Sequence, residues 1–227
     1  MKPLAVDLFA GLGGWTEGLV AEGYYVVGFD NVRHVYGEQR YPAQLVVQDV
    51  LTLHGRQFKD AALIVASPPC QEYSYRAMPW KRAKALPPPD NSLFEACFRI
   101  QREACEAAGH YIPMVVENVC GAQKWVGRAR WHYGSFYLWG DVPALMPMMR
   151  KCVKNSGGSW FAVSHNNVPH SRGDDVKCGG DWFGAGENAS AMRHQSSRSP
   201  KRRMASAMIA KIPEPLSRHI ARVYFPR

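Results

Sequence analysis

Cys70 stands in the run Ser67-Pro68-Pro69-Cys70-Gln71-Glu72, directly after the apolar stretch Ala61 to Ala66, and the tetrad Val116-Glu117-Asn118-Val119 lies downstream. A thiol at the end of a buried strand, preceded by prolines that allow few backbone conformations, is placed as a nucleophile. A second apolar run, Met114-Val115-Val116, delivers a carboxylate, Glu117, and an amide, Asn118. Such groups can hydrogen-bond the Watson–Crick edge of a cytosine while sulfur adds to its ring, so the pairing suggests attack on a pyrimidine. Taken singly, each part has a plainer reading. A lone cysteine after a strand is more often a small buried hydrophobe, and Glu117 can be a satisfied carboxylate at a strand end.

The elements that must position these groups are legible as an α/β pattern. Leu4 to Leu8 reads as an apolar strand running into the turn Phe9-Ala10-Gly11-Leu12-Gly13-Gly14, and helical spacing follows through Trp15, Leu19 and Val20. Glycines before a helix N-terminus let the backbone approach a nucleotide-like cofactor, although the spacing is not the dinucleotide Gly-x-Gly-x-x-Gly. A strand over Tyr25 to Phe29 ends in Asp30, where an α/β nucleotide fold places an acid on a ribose hydroxyl. Asp30 and Asp49 have an alternative as helix N-caps or solvated turn acids. Asp7 reads as a structural strand-end residue, and Phe9 as either core or a stacking surface. Residues Ser92 to Ala108 have helical spacing, with Asn91 or Ser92 as N-cap, and Ser135 to Gly140 reads as a further strand. The Pro-rich segment Glu72 to Asp90 reads as a mobile loop rather than a helix.

In order along the chain, DLFAGLGG, the acid after the second strand, Gln48-Asp49-Val50, SPPCQ and ENV resemble the DNA (cytosine-5)-methyltransferase family, in the manner of a small Dcm-like member. The resemblance covers roughly residues 3–140. It implies a Rossmann-like S-adenosylmethionine-dependent methyltransferase fold, with a mostly parallel sheet and helices on both faces, plus a small irregular recognition lobe. It implies that Cys70 adds to carbon 6 of a flipped cytosine, that Glu117 holds ring nitrogen 3 and the exocyclic amine, that Asn118 orients the surrounding loop, and that Pro69 shapes the pocket wall. The implied cofactor set for S-adenosylmethionine is Phe9, Ala10, Gly11, Leu12, Gly13, Gly14, Asp30, Asn31, Asp49, Val50 and Pro68. Phe9 would pack on adenine, Asp30 would take the ribose hydroxyls and Asp49 the adenine amine. The loop after the nucleophile closes over the base in that family, which makes Gln71, Tyr73, Ser74, Arg76 and Trp80 candidate contacts to the strand.

Two departures stand out. Where the family carries Gln-x-Arg-x-Arg before the strand at 135–140, the chain reads Trp131-His132-Tyr133-Gly134-Ser135, leaving Arg128 or Arg130 to substitute from a shifted register. The closing Gly-Asn pair is missing from Ile209-Ala210-Lys211-Ile212-Pro213-Glu214-Pro215-Leu216, although the prolines and a last helix over Leu216 to Val223 remain.

A formal net charge of +9 on 227 residues suits a polyanionic partner. The basic residues cluster as Lys81, Arg82 and Lys84, as Arg128 and Arg130, and as Arg193, Arg198, Lys201, Arg202 and Arg203. Any one cluster can be a solvated face; together they favour phosphate contacts and a steep salt dependence. Double-stranded DNA is the expected partner. RNA is the alternative, since one branch of the resembling family acts on tRNA, and a catalytically weak or inactive nucleic-acid-binding member is the third reading. No obligate protein partner is evident.

The domains expected are 1–140 for cofactor and catalysis, 141–199 for a short target-recognition region, and 200–227 for a segment whose helix packs back on the catalytic domain. Asn166, Asn167, Arg172, Lys177 and Arg193 are candidate base readers or phosphate contacts, and so small a region predicts a short or relaxed target sequence. Cys152, His165, His170 and Cys178 lack the close spacing of a Zn²⁺ site, so no metal is expected. With 46% hydrophobic residues the chain can bury one sizeable core. No apolar run approaches a membrane span, and the N-terminus enters its first strand too soon for a signal peptide. The cysteines are expected reduced. These features point to the cytoplasm of a bacterial cell or phage-infected host, with nucleoid association through DNA.

Overall fold

Short apolar runs become strands, and the computed structural model describes residues 1–74, 85–147 and 199–226. In chain order the strands are β1 (Leu4–Leu8), β2 (Tyr25–Asp30), the small hairpin β3 (Val35–Tyr36) and β4 (Gln39–Arg40), β5 (Gln44–Val47), β6 (Ala61–Ala66), β7 (Met114–Asn118), β8 (Trp131–Tyr133) and β9 (Phe136–Gly140). One sheet runs β5-β2-β1-β6-β7-β9-β8. Its strands are parallel from β5 through β7, and β9 is antiparallel to both β7 and β8. From β1 the chain moves outward to β2 and β5, then returns to build β6 and β7 on the other side. The order therefore reverses between β1 and β6, where open α/β sheets hold ligands at the carboxyl ends of their strands.

Side-chain alternation divides the core between the two faces of the sheet. Val6, Leu8, Ile64, Ala66, Met114 and Val116 pack with Phe94, Cys97, Ile100 and Ala104 of α3 (Ser92–Ala108). Ala5, Leu63, Val65 and Val115 pack with Trp15 and Leu19 of α1 (Gly14–Ala21) and with Leu216, Ile220 and Ala221 of α6 (Glu214–Val223). Each large apolar side chain buried here contributes roughly 1.5–3 kcal/mol. Among the described residues the other α-helices are α2 (Gln71–Ser74), α4 (Gln123–Val126) and α5 (Pro200–Ala210).

The bounds of α3 match the helical spacing of the sequence. Asn91 occupies the N-cap position without a side-chain cap bond, and Asp90 Oδ1 instead accepts from the Ser92 N–H at 2.8 Å. The last helix starts two residues before the expected Leu216, with Pro213 at its N-cap. It packs on α1, and α1 supplies glycines for the contact. A Cβ on Gly14 would lie 2.3 Å from the Ile212 nitrogen, and one on Gly18 would lie 2.1 Å from Ser217 Oγ. Gly14, expected against the cofactor, thus receives the C-terminal segment. Ion pairs rim this contact: Arg218 and Arg222 reach Glu22 at 2.6 and 2.9 Å, and Lys211 reaches Glu17 at 2.5 Å.

Several elements differ from the sequence expectation. The segment after Cys70 opens with one helical turn, α2, because Cys70 O accepts from the Tyr73 and Ser74 N–H groups at 3.1 and 2.9 Å. Trp131 to Tyr133 forms β8, which pairs with the anticipated strand to close the sheet edge. Helix α5 precedes the last helix, in a stretch read by its charge alone. The recognition lobe expected over 141–199 falls outside the described residues from 148 to 198. Among the described residues no helix is long and apolar enough to cross a membrane.

Candidate active site

The Cys70 loop is tied to three elements before it reaches the thiol. Adjacent parallel strands β6 and β7 align Ala66 with Val116, so the Pro-Pro-Cys run and the Glu117-Asn118 pair leave the sheet at the same end. The Ser67 N–H donates to Leu8 O of β1 at 3.2 Å, and Ser67 Oγ accepts from the Trp15 indole N–H of α1 at 2.9 Å. Asn118 is buried, its Nδ2 donates to Pro68 O at 2.9 Å, and its Oδ1 accepts from the Val119 N–H at 2.8 Å. Pro68 is buried, Pro69 exposed and Cys70 half-buried. Beyond the thiol, buried Tyr73 donates its hydroxyl to Asn91 Oδ1 at 3.0 Å, and Asn91 Nδ2 donates to Trp125 O at 3.4 Å. A Cβ on Gly121 would lie 3.0 Å from Tyr73 O, so the chain after β7 lies directly against α2.

Glu117 is buried at the end of β7. By strand alternation it shares the face of Val115, toward α1 and α6, whereas Asn118 shares the face of Val116. The amide and the carboxylate therefore point to opposite faces, and Asn118 is bonded to the Cys70 loop.

The glycine turn sits at the end of β1, next to this loop. Phe9, Gly11 and Gly13 have positive φ of 59°, 52° and 78°. Phe9 is the one non-glycine residue so placed among those described, and positive φ is uncommon for a bulky side chain. Ala10 and Leu12 are buried, while Gly11 and Phe9 keep partial exposure. At the end of β2, Asp30 Oδ2 accepts from the Gly11 N–H at 2.8 Å and Oδ1 from the Val32 N–H at 3.1 Å; His34 Nε2 stands 3.7 Å away. Burial acts to raise the Asp30 pKa, but His34 and the two backbone donors prevail and hold it below the usual range. The same pairing raises His34. Asn31 and Asp49 are exposed, and Asp49 Oδ1 caps a 3-10 turn by accepting from the Leu51 N–H at 2.9 Å. Val50, expected at the cofactor, is only 2% exposed, and its side chain belongs to the core.

Under the turn, Thr16 Oγ1 donates to Asp7 Oδ2 at 2.6 Å and lies 2.5 Å from the Tyr41 hydroxyl. Asp7 is 1% exposed, and its Oδ1 has no hydrogen-bond partner. Burial pushes its carboxyl up to about 8, so it is largely protonated at neutral pH. The Tyr41 ring lies over Gly28, where a Cβ would come within 2.4 Å of it. Burial raises the Tyr41 phenol as well.

Of the expected nucleic-acid contacts, Gln71, Ser74, Arg128 and Arg130 are exposed. Tyr73, at 2% exposure, faces inward, and its hydroxyl is held by Asn91. Arg76, Trp80, Lys81, Arg82 and Arg193 lie outside the described residues, as do Cys152, His165, His170 and Cys178. Among the described residues no cluster of His, Cys, Asp or Glu could hold a metal. Cys70, Cys97, Cys105 and Cys120 are free thiols. Arg128 and Arg130 directly precede β8, the first arm of the terminal hairpin, rather than the strand at 136–140. The sequence reading missed Trp15, Tyr41 and Asn91 as groups that build the site. Trp15 and Asn91 were placed on helices by spacing, but their polar partners are remote in sequence, at Ser67 and at Tyr73 and Trp125.

The parallel sheet, its reversal between β1 and β6, and the glycine turn define a Rossmann-like α/β methyltransferase fold. Residues 4–123 match the C-5 cytosine-specific DNA methylase family. The chain belongs to that family. Among solved structures it is similar to a protein described as a prophage-encoded DNA modification methyltransferase of E. coli, with 22% identity over 55% of this chain and 34% of that one, at a TM-score of 0.39. The S. pombe Dnmt2 methyltransferase is similar at 17% identity over 55% and 36% of the two chains, with a TM-score of 0.35. For the Entamoeba histolytica methyltransferase EhMeth the values are 16%, 55% and 40%, with a TM-score of 0.39. This chain thus spans between a third and two fifths of the length of those structures. No curated protein sequence matches it.

The family uses S-adenosylmethionine. The residues present fit such a group: the positive-φ turn after β1, the Asp30 carboxylate after β2 and Asp49 after β5 stand at the carboxyl ends of adjacent parallel strands.

Proposed function

We propose that this chain transfers the methyl group of S-adenosylmethionine to carbon 5 of a cytosine in double-stranded DNA, through a covalent adduct with Cys70. The observation that carries this reading is the joint emergence of the Cys70 loop and the Glu117-Asn118 pair from β6 and β7, locked by the Asn118 to Pro68 hydrogen bond. As its thiolate, Cys70 adds to carbon 6, and Glu117 holds nitrogen 3 and the exocyclic amine so that the charge pushed into the ring is stabilised. Carbon 5 thereby becomes nucleophilic. S-adenosylmethionine would supply an electrophilic methyl group to that carbon, its sulfur–methyl bond breaking so that the sulfonium leaves as a neutral thioether. Loss of the carbon 5 proton and elimination of Cys70 then restore the aromatic ring and the free thiol.

The turn from Phe9 to Gly13 and the acids Asp30 and Asp49 bind the cofactor, with Phe9 against adenine and Pro69 at the pocket wall. A cytosine inside a duplex is out of reach of a thiol, so the base is extruded at a cost of a few kcal/mol. Phosphate contacts from Arg128, Arg130, Lys81, Arg82 and Arg193 offset that cost. The segment from 141 to 199 reads a short target, and the enzyme works in the cytoplasm on the DNA of a bacterium or its phage.

A duplex carrying 5-fluorocytosine tests the chemistry, since carbon 5 then has no proton to lose. With S-adenosylmethionine present, a denaturation-resistant protein–DNA adduct should form with the wild type and vanish with Cys70→Ala. Absence of an adduct from the wild type on duplex DNA, with cofactor binding intact, would overturn the reading.

A further inference from the structure

The hairpin that closes the sheet carries side chains the chemistry above does not use. Register aligns Asn118 of β7 with Tyr137 of β9, and Tyr137 with His132 of β8. Because β9 runs antiparallel, its first residues lie beside the carboxyl end of β7, where Glu117 and Asn118 emerge. Strands stand about 4.8 Å apart, which sets His132 about 10 Å across the sheet from Asn118. Directly opposed residues share a face, so His132 and Tyr137 lie on the face of Asn118.

The rings of Tyr137, His132 and Trp131 stack in succession, with the exposed Trp131 at one end. His132 stacks on Tyr137 with centroids 5.0 Å apart at 17°, and Trp131 lies 6.4 Å from His132 at 27°. Gly134 O lies 3.1 Å from His132 Nδ1, so this nitrogen carries the proton and the turn fixes the orientation of the ring. Both Trp131, at 43%, and His132 are exposed on the terminal strand. The exposed residues Arg128 and Arg130 precede them by one to four positions. Oriented aromatic faces beside cations are what single-stranded nucleic-acid sites use, since every base offers a π-face and every phosphate a charge.

We infer that the stack of Trp131, His132 and Tyr137 forms a platform for an unpaired nucleobase of the substrate strand at the hairpin edge of the sheet. The inference rests on the nucleic-acid reading above. It adds a second base-binding position, one that takes any base by its face.

The test uses a short single-stranded deoxyoligonucleotide containing 2-aminopurine, and a second strand of equal length with abasic sites in place of its bases. Wild-type protein should bind the first and quench its fluorescence. Trp131→Leu and His132→Leu keep apolar bulk without the ring; each should weaken binding roughly tenfold and reduce the quench. Trp131→Phe should restore most of both. On the abasic strand all four proteins should bind alike, because only phosphates remain. S-adenosylmethionine affinity, measured in parallel, should be unchanged in every variant and so report an intact fold. If the leucine variants bind and quench as the wild type does, the platform is wrong and the proposed chemistry stands. If the wild type binds neither strand nor duplex at low salt, both fall.

Discussion

Asn118 Nδ2 donates to the carbonyl of Pro68 at 2.9 Å, joining the end of β7 to the proline run that carries Cys70. Asn118→Ala leaves that buried carbonyl without its donor, which costs about 1–3 kcal/mol. At about 2–4 °C per kcal/mol for a chain of this size, the melting temperature should fall by a few degrees. Methyl transfer should fall more sharply, in kcat rather than in cofactor affinity, as calorimetric titration with S-adenosylmethionine will check. Asn118→Asp should be worse, because an ionised carboxylate would face the same carbonyl.

Close approach between α1 and α6 predicts a clear stability result. The Cβ of Gly18→Ala would meet Ser217 Oγ at 2.1 Å, and the next atom, Arg218 N, at 2.6 Å. Overpacking of this kind costs about 1–3 kcal/mol. Denaturant unfolding should show a lower midpoint with unchanged slope. Gly18→Ala combined with Ser217→Gly should recover part of the loss, since it removes the nearer obstacle but leaves the backbone.

Asp7 should make stability fall as pH rises. Its folded pKa of about 8 lies above the ordinary value of 3.8 because burial disfavours the charge. The folded chain therefore holds a proton that the unfolded chain releases, and the stabilisation, complete below about 4, is lost as pH climbs toward 8. Asp7→Asn can still accept from Thr16 but does not titrate. The difference in melting temperature, variant minus wild type, should increase steadily between pH 5 and pH 8. A pH-independent difference would mean that Asp7 is ionised in the folded protein.

Tyr73→Phe removes the hydroxyl that Asn91 accepts and should cost about 1 kcal/mol. If the bond positions α2 behind Cys70, the rate of adduct formation on 5-fluorocytosine DNA should fall further than that stability loss accounts for, with duplex affinity unchanged. Asn91→Ala breaks the contacts to both Tyr73 and Trp125 and should have the larger effect.

Asp30→Asn should weaken S-adenosylmethionine binding by roughly tenfold or more, as expected when hydrogen bonds to a charged acceptor are lost. Gly11 and Val32 donate to different carboxylate oxygens, and the amide replaces one of these with an NH2 that cannot accept, so the turn itself loosens.

The sequence by itself determined the strands around the nucleophile, the helix Ser92–Ala108 and the family. Apolar runs, helical spacing and a few short motifs are local signals, and they persist when chain neighbours are all that can be seen. Edge strands β5 and β8 escaped notice because each is brief and half polar, and pairing partners rather than side-chain pattern make them strands. Tertiary structure alone decided that Tyr73 turns inward, that Val50 is core, and that Gly14 and Gly18 serve the C-terminal helix. It also decided that Trp15 and Asn91 brace the Cys70 loop. Each of these depends on a partner from 18 to 199 residues away, and burial and hydrogen-bond satisfaction are set only once the chain has closed on itself.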